Sequence, residues 1–190
     1  MNRAVFLDRD GTINEDVGAL CSKDKLIFIP RAIEAMKILQ EQFQLFIITN
    51  QAWIGKKVFS KEEYLVFSRY FESVLKDNGI AIKHIYYCPH IKEEGCICRK
   101  PNPFFIKEAE RDYDIDLKKS FIVGDHQSDI ETGRELGLSS IYVLTGHGMD
   151  GVDGLSVQPD HIAGSVYEAA GWIMDRSQEP AKKTESGLIG

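Results

Sequence analysis

A three-layer α/β fold, with a doubly wound parallel sheet between two layers of helix, is predicted by three observations. Short apolar runs alternate with segments of helical period. Turn residues separate the two kinds of segment, so the elements are distinct. Polar residues capable of chemistry stand directly after three of the apolar runs, where open parallel sheets place their ligands.

Taken in order, Ala4-Val5-Phe6-Leu7 predicts a buried first strand over 4–8, followed by a polar, irregular loop to about Pro30. From Arg31 the positions Ile33, Met36, Ile38 and Leu39 approximate helical spacing, and Leu45-Phe46-Ile47-Ile48 is a second buried strand ending in Thr49-Asn50-Gln51. Ser60 and Glu63 have capping-box spacing, opening a helix with Tyr64, Phe67, Phe71, Val74 and Leu75 that stops at Asn78-Gly79. Ile85-Tyr86-Tyr87 is a short strand, and Cys88 to Pro101 is too rich in Cys, Gly and Pro to be regular. Pro103 is expected to start a helix through Ile106, Ala109 and Tyr113. Ser120-Phe121-Ile122-Val123-Gly124 is a strand ending at Asp125, followed by a helix to Gly137 and a strand over 141–144. A last short strand, His161-Ile162-Ala163, precedes a helix from Ser165 to Met174. No insertion of domain size interrupts the alternation, so a single domain over 1–176 without a large cap is expected, with a polar tail over 177–190.

Composition narrows the partners. The chain has 190 residues, 43% apolar and 27% charged, with a formal charge of −6, which argues against a nucleic-acid-binding face. No apolar run approaches the roughly 20 residues that cross a bilayer, so no membrane partner is expected. Strand residues begin within a few positions of Met1, leaving no room for a secretory leader; a cytoplasmic location and a monomer are expected. A phosphorylated ligand must then meet a local positive patch.

Asp8-Arg9-Asp10-Gly11-Thr12 places two acids directly after a buried strand. Turn chemistry explains one Asp and the Gly, not both acids. The pattern supplies a nucleophilic or metal-binding carboxylate, a second carboxylate on the same side of the pleat, a permissive turn and a hydroxyl. Asp8 and Asp125, on different strand ends, would repel each other unless a cation sat between them, and oxygen ligands select a hard ion such as Mg2+. Thr49, Asn50 and Lys100 suit the oxygens and charge of a phosphoryl group.

In that order these segments resemble the haloacid dehalogenase superfamily of phosphatases, whose four motifs correspond to Asp8-x-Asp10-Gly11-Thr12, Thr49-Asn50, Lys100 and Gly124-Asp125-x-x-x-Asp129. The resemblance implies that Asp8 attacks phosphorus to form an aspartyl phosphate. Asp10 would protonate the leaving oxygen and then activate water. It further implies Mg2+ held by Asp8, the Asp10 main-chain carbonyl and Asp125, with Asp129 orienting Lys100 or supporting the ion's water shell.

Cys88, His90, Cys96 and Cys98 crowd one polar segment, and three thiolates with one imidazole make a closed tetrahedral shell for Zn2+, a structural site. Cys21, the fourth cysteine, is left over as an ordinary thiol. The Cys-Pro-His…Cys-x-Cys-Arg-Lys-Pro arrangement resembles two phosphatase groups, for D-glycero-D-manno-heptose 1,7-bisphosphate and for histidinol phosphate. Asn14-x-Asp16-x-Gly18, Ile54-Gly55 with Phe59-Ser60, and Thr145-Gly146 favour the heptose group, which releases the 7-phosphate on the way to nucleotide-activated heptose for lipopolysaccharide or capsule. That resemblance makes a small phosphorylated sugar the partner. Arg99 and Lys100 would contact substrate and phosphoryl group, while Asp16, Val17, Gly18, Ala19, Thr49, Asn50, Gln51 and Ala52 line the sugar. Three positions depart from the pattern: Ala52-Trp53 replaces a usual Ser-Gly, Lys56-Lys57 a usual Arg-Gly, and His126 a common substrate-contacting Lys.

Two other classes share parts of this set. A receiver domain holds an acceptor aspartate beside Mg2+, Thr and Lys, but without an acid two residues on. A zinc-dependent interaction module would use the cysteine loop and leave the acids idle.

Overall fold

The computed structural model describes residues 1–178; the remainder of the tail expected over 177–190 lies outside the described residues. Six strands, β1 (Ala4–Leu7), β2 (Gln44–Asn50), β3 (Ile82–Cys88), β4 (Phe121–Gly124), β5 (Ser139–Val143) and β6 (His161–Ala163), form one parallel sheet in the order β3-β2-β1-β4-β5-β6. Chain order runs outward from β1 to one edge and from β4 to the other. The crevice between these two strands is therefore the switch point at which such sheets bind ligands.

Helices α1 (Ala32–Leu39), α3 (Lys61–Asp77) and α7 (Val166–Gln178) cover one face, and α4 (Phe104–Tyr113) and α5 (Gln127–Leu136) the other; two short turns are α2 (Ala52–Gly55) and α6 (Gly148–Gly151). The alternation of side chains in a strand assigns the two cores. Val5 and Leu7 join Leu45, Ile47, Phe67, Met36 and Ile173 on one side, while Ala4 and Phe6 join Phe46, Ile48, Ile106 and Ile122 on the other. Phe6 stacks on Phe46 with centroids 5.2 Å apart. Burying each such side chain contributes about 2 kcal/mol, which is why β1 is apolar on both faces and holds the centre of the sheet.

The α3 capping box forms as its sequence predicts, with the Glu63 N–H on Ser60 Oγ at 3.1 Å and the Ser60 N–H on Glu63 Oε2 at 2.7 Å. Elsewhere boundaries move. Arg31 precedes α1 rather than opening it, in a left-handed conformation with its guanidinium on Glu34. Pro103 likewise caps α4 instead of starting it. Cys88 belongs to β3, because its main chain stays in register with Asn50. The fifth strand is 139–143 rather than 141–144, and α7 runs to Gln178, past the expected end at Met174. The loop to Pro30 is irregular but tied by bridges from Asn14 to Asp10 and to Phe28. Among the described residues no helix is long and apolar enough to cross a membrane.

Candidate active site

Three strand ends deliver carboxylates and cations to one buried point. Asp8 leaves β1 with its N–H still on the β4 carbonyl of Val123, at 2.9 Å. Asp125 follows β4, and Asp129 sits in the first turn of α5. Lys100 arrives from the loop after β3, its Nζ donating to Asp8 Oδ1 at 2.7 Å and Asp129 Oδ1 at 2.6 Å. Asn50 fixes that arrival, its amide donating to the Lys100 carbonyl and accepting the Lys100 N–H. The Asn50 side chain thus gives its oxygen and one of its amide hydrogens to Lys100. Asp129 does orient Lys100.

The charges do not balance. Asp8, Asp125 and Asp129 have carboxylate oxygens within 4.8 Å of one another, against the single ammonium of Lys100. Burial, with the Asp8 charge beside it, pushes the Asp125 carboxyl up to about 8. Burial pushes Asp129 up to about 6 although Lys100 works against it, and raises Asp8 against the same ammonium. Lys100 is lowered by burial, but Asp129 and Asp8 more than offset this and hold it above its ordinary value.

Asp125 shows what is needed. Its Oδ2 accepts the His147 N–H at 2.8 Å, while Oδ1 is buried without any hydrogen-bond partner. A buried acceptor facing two other carboxylates fits a hard divalent cation. The surrounding main chain leaves room only for that carboxylate: Gly11 and Gly146 have positive φ, and a Cβ on either would press on Asp125.

Asp10 lies apart from this trio. Sequence reasoning put it on the same side of the pleat as Asp8, but β1 ends at Leu7, and the Asp10 carboxylate turns into a cradle of its own. Arg9 binds it through Nε and Nη2, Asn14 donates to Oδ1 at 2.9 Å, and Gln51 donates to Oδ2 at 2.8 Å. Arg9, missed from sequence, is only 1% exposed and lies over the rings of Tyr64 and Phe67 from α3. The aromatic spacing on that helix was the available signal. Gln51 also donates to Thr49 Oγ1 at 2.8 Å, leaving the threonine hydroxyl proton free for the cleft.

A cleft of about 570 Å³ opens above this point, lined at its floor by Asp8, Asp10, Thr49, Asn50, Arg99 and Lys100. The loop after β1 adds Asp16 and Gly18, and α5 brings Gln127, Ser128 and Glu131 beside His126. Four residues expected to line the sugar do not line this cleft: Val17 is exposed on its loop, Gln51 is buried behind Asp10, and Ala19 and Ala52 are half-buried outside it. Trp53 on α2, Lys92 within the cysteine loop and Asn102 just after it line it without having been expected. The Asp16 turn is closed by the Gly18 N–H on Oδ1 and tied by His147 Nε2, 3.0 Å from Oδ2.

Cys88, His90, Cys96 and Cys98 converge beside the cleft. Sulfur to sulfur and sulfur to Nδ1 separations run from 3.2 to 3.7 Å, too long for a disulfide. A tetrahedron of thiolates at about 2.3 Å from zinc has edges of about 3.8 Å, so the four donors are gathered near the spacing of such a shell. The loop also ties its neighbours: Arg99 Nη1 donates to the His90 carbonyl at 3.2 Å, and the Gly55 N–H of α2 to the Pro89 carbonyl at 2.9 Å.

A parallel sheet whose switch point gathers a strand-end aspartate, a buried lysine and an acid pair that could hold a cation defines a hydrolase of the haloacid dehalogenase type. Residues 97–169 match the HAD-hydrolase-like family. The D-glycero-alpha-D-manno-heptose-1,7-bisphosphate 7-phosphatase of Photorhabdus laumondii is 34% identical over 154 residues, 76% of this chain and 84% of that one. The corresponding beta enzyme of Pasteurella multocida is 36% identical over 154 residues, 77% and 84% of the two chains. The crystal structure of D,D-heptose 1,7-bisphosphate phosphatase from B. bronchiseptica, with magnesium and phosphate, superposes with a TM-score of 0.84 at 26% identity, covering 92% of this chain and 99% of that one. The chain belongs to the D-glycero-D-manno-heptose-1,7-bisphosphate 7-phosphatase family.

Proposed function

We propose that this protein removes the 7-phosphate of D-glycero-D-manno-heptose 1,7-bisphosphate by way of an aspartyl phosphate. The observation that carries the reading is Asp8 held by Lys100 Nζ at 2.7 Å, with Asp10 in a separate hydrogen-bonded cradle next to it. Two carboxylates two residues apart in different surroundings suit two roles. An Asp8 oxygen attacks the C7 phosphorus, the bond from phosphorus to the sugar oxygen breaks, and that oxygen takes a proton from Asp10. Asp10 then accepts a proton from water, whose oxygen displaces Asp8 and releases inorganic phosphate. Lys100 orients Asp8 and offsets charge on the phosphoryl oxygens, to which Thr49 presents its free hydroxyl proton. Mg2+, held by Asp8, the Asp10 carbonyl and Asp125, would neutralise phosphoryl charge.

Cys88, His90, Cys96 and Cys98 would hold Zn2+ as a structural ion, fixing the segment that delivers Arg99 and Lys100. Arg99 and His126 face the cleft as substrate contacts, with Asp16 and Gly18 on the sugar side. The reading includes a cytoplasmic monomer acting on a soluble phosphosugar. The names of the relatives favour the heptose substrate over histidinol phosphate, and they include both anomeric types. Phosphate release from each heptose 1,7-bisphosphate anomer and from histidinol phosphate, followed by phosphorus NMR, tests it. Loss of the C7 signal is expected; preference for histidinol phosphate or loss of the C1 phosphate overturns it.

A further inference from the structure

The cleft is lined mostly by acids, amides and cations, and against these Trp53 stands out. Its half-buried indole lines the cleft with Asp16, Gly18 and Arg99. It is not a loose surface ring. Its helix is fastened at both ends to the cysteine segment, by the Gln51 N–H on the Cys88 carbonyl at 2.7 Å and the Gly55 N–H on the Pro89 carbonyl at 2.9 Å. Gly55 is needed there, because a Cβ would meet the Pro89 carbonyl at 2.9 Å and Glu94 at 3.1 Å. The Val58 N–H on the Trp53 carbonyl, at 3.0 Å, closes the turn behind the ring. Lys56 Nζ lies over the indole, 4.5 Å from its centroid. On the loop facing it, Gly18 carries no side chain, and a Cβ there would come within 3.7 Å of the indole Cζ2. That is an ordinary contact distance, so Gly18 borders one edge of the ring, and the indole meets a ligand where it lines the cleft.

Apart from its single N–H, an indole presents an apolar face, which has nothing to offer a phosphate that presents only oxygens. That face suits the other part of a phosphosugar, whose C–H groups form an apolar surface between polar hydroxyls. Resting on the phosphosugar reading above, we propose that Trp53 is the specificity-determining wall of the cleft: the carbon skeleton of the sugar packs against its indole, which Lys56 and the fastened turn of α2 hold in place. Trp53 touches no reacting atom and discriminates among phosphate esters by what carries the phosphate.

The test compares kcat/KM for heptose 1,7-bisphosphate with that for p-nitrophenyl phosphate in the wild type, Trp53→Ala and Trp53→Phe. The ratio is expected to fall roughly tenfold in Trp53→Ala, chiefly through the KM of the sugar, and Trp53→Phe is expected to recover most of it. A ratio unchanged in Trp53→Ala, with the wild type active on the heptose, overturns the wall and leaves the substrate reading intact. A wild type inactive on the heptose overturns both. Binding gives a second readout that does not depend on the alanine variant folding. The chain has two tryptophans, and the other, Trp172, packs against Phe121 and His161, at the end of β4 opposite Asp125. In turnover-deficient Asp8→Asn, heptose 1,7-bisphosphate is expected to shift indole emission, and adding Trp53→Phe to abolish the shift. A shift that persists in the double variant overturns the proposal.

Discussion

The carboxylate centre and the cysteine loop lie side by side and are built on opposite principles. The first gathers oxygen donors from residues 8, 125 and 129 at three separate chain positions, buries them, and leaves Asp125 Oδ1 without a partner. The second takes three thiols and an imidazole from eleven consecutive positions, leaves three of them half-exposed, and sets all four within reach of one another. A shell that closes on itself has no position for substrate; one left short of charge and partners does. The difference separates a site for chemistry from a site for shape.

That separation can be broken experimentally. Asp8→Asn keeps the size and the Lys100 contact but removes the nucleophile, and phosphate release is expected to fall about 10⁴-fold with an unchanged circular dichroism spectrum. Substantial turnover in that variant would return the carboxylate centre to a purely metal-binding role. Lys100→Ala leaves Asp8 and Asp129 facing each other without their shared cation, and kcat is expected to drop about 10²- to 10³-fold in steady-state assays. Cys98→Ser opens the sulfur shell. Its melting temperature is expected to fall by roughly 4–8 °C, for about 2 kcal/mol, and kcat by about tenfold, with the magnesium concentration for half-maximal activity unchanged. A changed magnesium requirement would show that the two centres are one unit.

The smallest effect concerns pH. With Asp125 raised to about 8, the metal-free folded protein keeps a proton that the unfolded chain loses near its ordinary value of 3.8. The folded state therefore binds more protons across that interval, and this group makes metal-free stability decline as pH climbs towards 8. A cation that displaces the proton binds more tightly as pH rises. Isothermal titration is expected to show magnesium affinity increasing about fivefold between pH 7 and pH 8. The cysteine centre, once closed, is expected to contribute nothing to that slope.

The two centres were also unequally legible. The cysteine cluster is local, so spacing and ligand type sufficed. The strand ends Asp8, Thr49 and Asp125 were legible because an apolar run makes a following acid or hydroxyl conspicuous, and the parallel sheet then brings them together. What escaped depends on side-chain direction. Arg9 looked like the interchangeable middle of Asp-x-Asp, yet the turn after β1 sends it inward between Tyr64 and Phe67. Gln51 looked like a substrate ligand because it follows a strand end, but it lies buried against the Asp10 carboxylate, and Asn50, which does line the cleft, also ties the main chain of Lys100. The turn α2 has four residues and no periodicity to detect, so Trp53 could be seen as a departure from a pattern but not given a place.

Gly55 lets α2 lie against the carbonyl of Pro89, while eleven residues farther along the same loop Lys100 reaches Asp8. One short peptide thus braces the turn that bears the proposed wall and itself bears the cation that steadies the nucleophile. For a lineage under selection the two traits are not separately adjustable: a substitution between 89 and 99 shifts both at once, whereas the exposed face of α2 is free to vary. New substrate preferences should therefore arise by changes at positions such as 53 and 56 long before the loop itself is rewritten.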